Sequence, residues 1–573
     1  MALTPDNSAD NGKNVASVGE GFLRLLASRG VDFLFANAGT DFPPLVEGLA
    51  RARRDGFAVP KTLLVPHENV AVGMAYGATM VSGRAQALMV HVNVGTANAL
   101  CGLINAAREN VPMLLAAGRT PLFESGQPGS RSLNIHWAQE MFDQAGMVRE
   151  HVKWDYELRG SAQLESVLDR ALAIAASEPQ GPVYLSLPRE VLAAPGTVFS
   201  TTRTQQPAAA PAPDPDAIAQ AAAVLARARH PLIITARAGR EPGAVPLLAQ
   251  LAQRFALPVV DYRPRYMSMP NNHPMHGGYE SAPWLDEADA ILVLDCDVPW
   301  MPAGKAPRAG MPVIQAGSDP LFARYPTRGF HADVCITGTS QRVLAALGLA
   351  LERAGVDATL IADRRERIAA AGRAWRAAVD SQVVAGASAL NMASVSRALS
   401  EALARAGGES IVINEYSLVP AAMDFTRPGS YFGSSPVGGL GWGLPAALGA
   451  KLASPGSLVV AAVGDGSYTF ANPLACHHAA AMYGIATLTL VMNNGAYGAV
   501  DRATRAMYPQ GIAVTDGMHL VSLAPVPRYD ALMAACGGHG ERVEQADAMA
   551  GALDRAIRAV RDGRQALVDV MCA

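Results

Sequence analysis

Charge is scarce in this chain and paired cysteines are absent, and each shortage removes a class of function. Only 17% of the 573 residues are charged, the formal net charge is −3 and no long basic block occurs, which argues against a nucleic-acid or membrane-surface partner. Cys101, Cys296, Cys335, Cys476, Cys536 and Cys572 are scattered with no Cys-x-x-Cys pair, so the expectation is buried free thiols in a reducing compartment rather than a disulfide framework. Residues 1–12 are polar without an apolar signal core, and no uninterrupted apolar run reaches membrane length; the sequence reads as cytoplasmic. What remains is enough chain for about three to five domains, half of it apolar, which favours an enzyme acting on a small molecule.

Apolar runs alternate with helical periods along nearly the whole length, the pattern of α/β domains with parallel sheets. Three such domains are expected, over residues 15–190, 216–350 and 388–573. The Pro/Ala-rich stretch 203–215 reads as the linker between the first two, and an Arg/Ala-rich helix over 362–384 as the connector to the third. In the first domain, strand 32–36 leads into the turn Asn37–Phe42, and strand 61–66 runs through His67-Glu68-Asn69 into a small-residue helix over 70–80. A carboxylate at the mouth of that Ala/Gly-rich helix needs a partner, because burial disfavours its charge; the plainer reading of Glu68 is a helix-starting glutamate favoured by the dipole. Residues 87–96 read as a strand and glycine turn ahead of a helix over 97–109. The same order, small-residue helix, strand, glycine turn, helix, strand, recurs over 443–492 and points to an internal duplication.

The most informative stretch lies in that second copy. An apolar run from Val459 ends in Gly464-Asp465-Gly466, a helix covers 472–483, a second apolar run covers 487–492, and Asn493-Asn494-Gly-Ala-Tyr497 follows. This is a βαβ unit, whose strands present ligands at their carboxyl ends. The carboxylate of Asp465, the amide oxygen of Asn494 and a backbone carbonyl in the next turn suit a hard cation, while Gly464 and Gly466 let backbone N–H groups approach a diphosphate. A lone Gly-Asp-Gly is usually an ordinary turn. The spaced Asn-Asn makes the Mg-diphosphate reading specific.

Gly464-Asp-Gly466, the twenty-six residues 467–492 and Asn493-Asn494 together resemble the thiamine diphosphate motif of the acetolactate synthase and 2-oxo acid decarboxylase superfamily. The resemblance spans the chain beyond about its first fifteen residues. It implies three doubly wound parallel-sheet domains (pyrimidine-binding, central and diphosphate-binding), thiamine diphosphate and Mg2+ as cofactors, and a 2-oxo acid or aldehyde as substrate. It also implies a homodimer or homotetramer with sites shared between subunits. By the same resemblance Glu68 bonds the pyrimidine ring, Leu440 enforces the cofactor's bend and the Gly438 carbonyl accepts from the 4′-amino group. Ser417, Gly464, Gly466, Ser467 and Tyr497 would surround the diphosphate, and Asp465, Asn494 and the Ala496 carbonyl would hold the metal.

Within the superfamily the pattern is similar to benzoylformate decarboxylase, in Asn414-Glu415, Pro428–Tyr431, Gly438–Gly441 and Asn493–Ala499. That likeness implies catalytic roles for His91 and for His273, which precedes Pro274, and sets Thr40 at the place of a substrate-contacting serine. Taken alone, a histidine between valines is commonly a satisfied core residue. The methyl of Thr40, Val437 before Gly438, and Asp501-Arg502 depart from the pattern and bear on the substrate rather than the cofactor.

The function expected is non-oxidative decarboxylation of a 2-oxo acid or the related carboligation. One alternative is an acetolactate synthase-like carboligase binding FAD in its central domain, although no Gly-x-Gly-x-x-Gly follows any central strand. Another is an inactive paralogue serving as a binding subunit, against which stands the joint presence of Glu68, Leu440, Asp465 and Asn494.

Overall fold

The computed structural model of the protein describes residues 15–200, 202–385 and 390–572. The expected start of the last domain at Ser388 lies outside the described residues.

Three all-parallel sheets form, as expected. The first contains β1 (Phe33–Ala36), β2 (Lys61–Leu64), β3 (Gln86–Val90), β4 (Met113–Arg119), β5 (Asp155–Glu157) and β6 (Val183–Pro188), in the order β2-β1-β3-β4-β6-β5. The central sheet contains β7 (Pro231–Thr235), β8 (Val259–Asp261), β9 (Ala290–Leu294), β10 (Val313–Gly317) and β11 (Val334–Thr337), ordered β11-β10-β9-β7-β8. The last contains β12 (Ser410–Glu415), β13 (Tyr431–Gly433), β14 (Leu458–Gly464), β15 (Leu488–Asn493), β16 (His539–Val543) and β17 (Ala566–Met571), ordered β13-β12-β14-β15-β17-β16. The first and last sheets therefore share one strand order, second-first-third-fourth-sixth-fifth. Each reverses direction between its first and third strands, the kind of switch point where α/β sheets bind ligands.

The interior strands are buried along nearly their whole length; β3 and β9 are buried at every position, and β9 is an unbroken Ala-Ile-Leu-Val-Leu run. The strands that the sequence did not announce, β5, β11, β13 and β16, all lie at sheet edges. β5 and β16 are mostly half-buried, and β11 mixes exposed with buried positions, so they lack a continuous apolar run. Such strands owe their conformation to the neighbour they pair with.

The chain divides into two compact units. One runs up to Ala209 and includes Ser435–Pro455 and Phe470–Ile485; the other holds Ala210–Ser434, Gly456–Thr469 and the chain from Ala486. Within the first unit the helix Glu68–Ser82 packs on the helix Gly443–Ala453 so closely that a Cβ on Gly77 would lie 1.9 Å from the Ala446 carbonyl oxygen, and one on Gly449 1.9 Å from that of Met74. Only glycine permits this approach. Within the second unit the Gly433 N–H bonds the Arg265 carbonyl at 2.9 Å and Asn271 Nδ2 bonds the Met423 carbonyl at 2.5 Å, joining central and last sheets.

Two expectations need correction. The helix foreseen from Ala97 begins at Val92, so His91 caps a helix instead of ending a strand. The β-branched Val-x-Val spacing mimicked a strand, but β3 ends at Val90 and the backbone turns at once through Val92, whose φ is +35°. The cysteines are also not uniformly buried: Cys296 and Cys476 are, and burial raises both thiols, Cys296 to about 12, whereas Cys101 and Cys335 are exposed. No helix among the described residues is long and apolar enough to cross a membrane.

Candidate active site

At the carboxyl end of the last sheet, β14 passes straight from Gly464 into the helix Asp465–Phe470, without an intervening loop. Asp465 is 3% exposed. Its Oδ1 accepts the Gly466 N–H at 2.8 Å, while its buried Oδ2 has no partner. Burial pushes this carboxyl up from the ordinary aspartate range, against the Gly466, Gly495 and Ala496 N–H groups that hold it down. A buried carboxylate oxygen without a donor is costly unless a cation meets it.

The groups around Asp465 suit that cation. Asn493 is buried and ties the following turn, with Nδ2 donating to Asp569 at 2.9 Å and Oδ1 accepting from Gly495 at 3.1 Å. Asn494 is exposed, and its Oδ1 accepts from Ala496 at 3.1 Å with a lone pair to spare. The Ala496 carbonyl accepts from Gly498 at 2.9 Å and likewise keeps one lone pair. Two residues past the neighbouring β12, buried Ser417 donates to the Glu415 carbonyl at 3.0 Å, and its Oγ would stand 3.9 Å from a Cβ on Gly464. Tyr497 covers Gly466, its ring carbons 3.1 and 3.2 Å from where a Cβ would be. Ser467 is buried on the same helical turn. One carboxylate, one amide oxygen, one carbonyl and a glycine-lined floor fit Mg2+ carrying a diphosphate, which supplies the remaining oxygens.

In the first unit, Glu68 is the first residue of its helix, and Asn98 Nδ2 donates to its Oε2 at 3.1 Å. Leu440 is half-buried in the loop before the helix Gly443–Ala453. Asn105 grips that loop from both sides, donating to the Gly439 carbonyl at 2.7 Å and accepting its N–H at 3.3 Å. Gly438 has φ +67° and donates its N–H to the Ser435 carbonyl at 3.2 Å. Asn69, Val72, Tyr76, Leu440 and Trp442 line a small cavity here.

His91 belongs to a built array that sequence reasoning did not find. Its Nδ1 lies 2.6 Å from Asp41 Oδ1, and its Nε2 lies 3.3 Å from Gln139 Nε2. A carboxylate only accepts, so the proton sits on Nδ1 and the Nε2 lone pair receives the Gln139 amide. Two glycines make room: a Cβ on Gly39 would be 2.2 Å from His91 Nδ1, and one on Gly118 would be 1.6 Å from Asp41 Oδ2. The positive φ of the β-branched Val92 adds strain at the same spot, as functional backbones often do. Asp41→Ala should release the ring into a tautomer mixture, visible in the 15N shifts of His91; an unchanged Nδ1–H pattern would show that Asp41 does not orient it. Exposed Thr40 borders the same cavity.

His273 lies apart from these groups in sequence, in the loop after β8. Its Nδ1 accepts the Met275 N–H at 3.2 Å, and partial burial lowers its pKa. At the end of β9, Tyr325 donates to Asp297 at 2.9 Å and Arg265 pairs with it; although burial opposes, Arg265 and Arg237 hold that carboxyl well below the usual range.

Three family models match the chain: thiamine pyrophosphate enzyme, N-terminal TPP binding domain, over residues 16–147; central domain, over 218–347; and C-terminal TPP binding domain, over 415–570. The chain belongs to the thiamine pyrophosphate enzyme family. Among relatives of this thiamine pyrophosphate enzyme, benzoylformate decarboxylase of Pseudomonas aeruginosa is 26% identical over 499 residues, covering 83% of this chain and 85% of that one. Acetolactate synthase of Mycobacterium bovis is 26% identical over 558 residues, covering 94% and 85%. The thiamine diphosphate-dependent 4-hydroxybenzoylformate decarboxylase of Rhodococcus jostii RHA1 shares the fold, with a TM-score of 0.77 at 21% identity over 97% of this chain and 99% of that one.

Proposed function

We propose that this thiamine pyrophosphate enzyme is a Mg2+-dependent, non-oxidative 2-oxo acid decarboxylase or carboligase. The observation that carries the reading is the orphan Oδ2 of Asp465, buried at the carboxyl end of the last sheet beside Asn494, Ala496 and the Gly464/Gly466 floor. Asp465, Asn494 and the Ala496 carbonyl would hold the metal, and Gly464, Gly466, Ser467, Ser417 and Tyr497 the diphosphate. Glu68 would hold a proton shared with the pyrimidine ring, the Gly438 carbonyl would accept from its amino group, and Leu440 would press the cofactor into its bent form. When bound, thiamine diphosphate supplies the carbon that attacks the substrate carbonyl and takes up the electrons released as the C–C bond breaks.

His91, its proton fixed on Nδ1, offers Nε2 as the point where a substrate proton is taken or returned. Thr40 would touch the substrate, and His273 would serve as a second proton-handling group. Mass spectrometry of the heat-released ligand should find thiamine diphosphate, and a panel of 2-oxo acids should yield CO2. A loaded enzyme that yields neither CO2 nor a ligated product from any of them would refute the reading. The likeness to acetolactate synthase over 94% of the chain favours carboligation as the second outcome, seen as acetolactate formed from pyruvate.

The same reading includes a cytoplasmic homodimer or homotetramer. Sedimentation should find no active monomer at assay concentration, and a fully active monomer would overturn the assembly.

A further inference from the structure

The cavity beside His91 has more polar lining than proton transfer needs. Thr40, Arg119, His136, Gln139 and Arg189 border it, and its free hydrogen-bonding capacity is mainly that of donors. Arg189 is 9% exposed and sends Nε, Nη1 and Nη2 to the carbonyls of Gly129, Thr40 and Ser130 at 2.8, 3.1 and 2.6 Å. None of these partners is a carboxylate, and one hydrogen remains on each terminal nitrogen.

Arg119 pairs with Glu140 at 2.7 Å and Glu157 at 3.3 Å, yet its buried Nη1 has no acceptor. His136, 2% exposed, accepts the Ser132 and Leu133 N–H groups on Nδ1 at 3.1 and 3.4 Å, which leaves the hydrogen of the neutral ring on Nε2. Burial first, then Arg189 and Arg131, lowers the pKa of His136 and keeps it a neutral donor.

The acid that lines the cavity, Asp41, and the one that pairs with Arg119 most closely, Glu140, are already engaged. Asp41 bonds His91 at 2.6 Å and the Val92 N–H at 3.4 Å. Glu140 is shared among Thr120, Arg119 and Arg131. Glu190 does not line the cavity; its Oε1 accepts from the Phe123 N–H at 3.0 Å and its buried Oε2 has no partner. Gln139 Oε1 is the one buried acceptor of the lining without a partner, and it stays an acceptor while the Gln139 NH2 is held by His91 Nε2.

We propose that this cavity is an anion-acceptor subsite and that the substrate is a 2-oxo acid bearing a second acidic group, such as a carboxylate, at the far end of its side chain. The proposal rests on the 2-oxo acid reading above. Buried donors without acceptors are costly, and an anion relieves that cost on binding. The scissile carboxylate is the wrong occupant: two guanidinium groups would stabilise it in the ground state, whereas its charge is lost as CO2 leaves. A remote, non-reacting acid keeps its charge throughout and supplies binding energy to the transition state as well.

The test compares 2-oxo dicarboxylates with 2-oxo monoacids of matched chain length in the holoenzyme. The dicarboxylates should show kcat/KM at least about tenfold higher, the size of a lost charge-assisted hydrogen bond, with the difference in KM. Arg189→Met should bring the ratio toward one, whichever way absolute rates move. Because Arg189 also braces three carbonyls, calorimetric titration of the wild-type holoenzyme with glutarate and with pentanoate gives a readout that needs no variant. Glutarate should bind at least about tenfold tighter. Equal affinity for the two probes overturns the subsite even if every 2-oxo acid is turned over. Tight glutarate binding without turnover of any 2-oxo acid upholds the subsite and overturns the reaction assigned above.

Discussion

Asp465→Ala is expected to lose thiamine diphosphate and Mg2+ together, each by about a hundredfold or more in affinity, while the fold survives. The size follows from the site: removing one partner of a buried ionic contact costs about 3–5 kcal/mol, because the other charge is left without compensation. The fold survives because this side chain meets only backbone N–H groups of its own turn and of the turn after Asn494, and its Oδ2 is an unpaired buried acceptor. Removing that oxygen should leave the melting temperature of the apo protein unchanged or slightly higher.

Wild type saturated with cofactor and metal at a hundred times Kd should gain about 2.7 kcal/mol of apparent stability, and the variant should gain none. Because burial raises this carboxyl's pKa, wild-type cofactor affinity should begin to fall at a higher pH than for an ordinary aspartate, as protonation displaces the cation. Titration calorimetry with and without Mg2+ decides the point. Unchanged cofactor affinity in Asp465→Ala would place the metal elsewhere.

The placement of Asp465 and Asn494 at the ends of two paired parallel strands was legible in the sequence, because each closes an apolar run. The glycines and the Asn-Asn pair mark two adjacent strand ends at a fixed separation. Interior strands were legible for a similar reason, since burial on both faces demands unbroken apolar runs. The His91 array was not. Asp41 and Gln139 lie fifty and forty-eight residues from His91 along the chain, in stretches with no periodic signal.

Gly39 and Gly118 look like ordinary glycines until the missing Cβ atoms are seen to leave room for a carboxylate and an imidazole. His136 and Arg189 announce nothing in sequence either. Arg189 follows a strand that ends in proline, and only the fold turns it toward the carbonyls of Gly129, Thr40 and Ser130. Contacts at long sequence separation, bonded to backbone rather than to a motif partner, are what one sequence leaves out.

Glu68→Gln offers the sharpest separation of roles. The substitution keeps the side chain's volume, and its amide oxygen can still accept from Asn98 as Glu68 Oε2 does at 3.1 Å. What it removes is a carboxyl able to hold and release a proton. The loss of a positioned acid or base slows a proton transfer by about 10²–10⁴-fold. Hydrogen exchange at C2 of the bound cofactor, followed by rapid quench and NMR in the absence of substrate, should therefore fall by at least about a hundredfold in this variant.

His91→Ala should exchange at close to the wild-type rate, because its Nε2 faces the Gln139 amide in the cavity with Thr40, and the proton it would handle belongs to the substrate. Turnover should fall in both. Normal exchange in both variants would leave Glu68 as the helix-starting residue its position also allows, and would move the pyrimidine ring away from the first sheet. Slowed exchange in both would instead make the Asp41–His91 pair part of cofactor activation, and the cavity beside it would then face the cofactor rather than the substrate's far end.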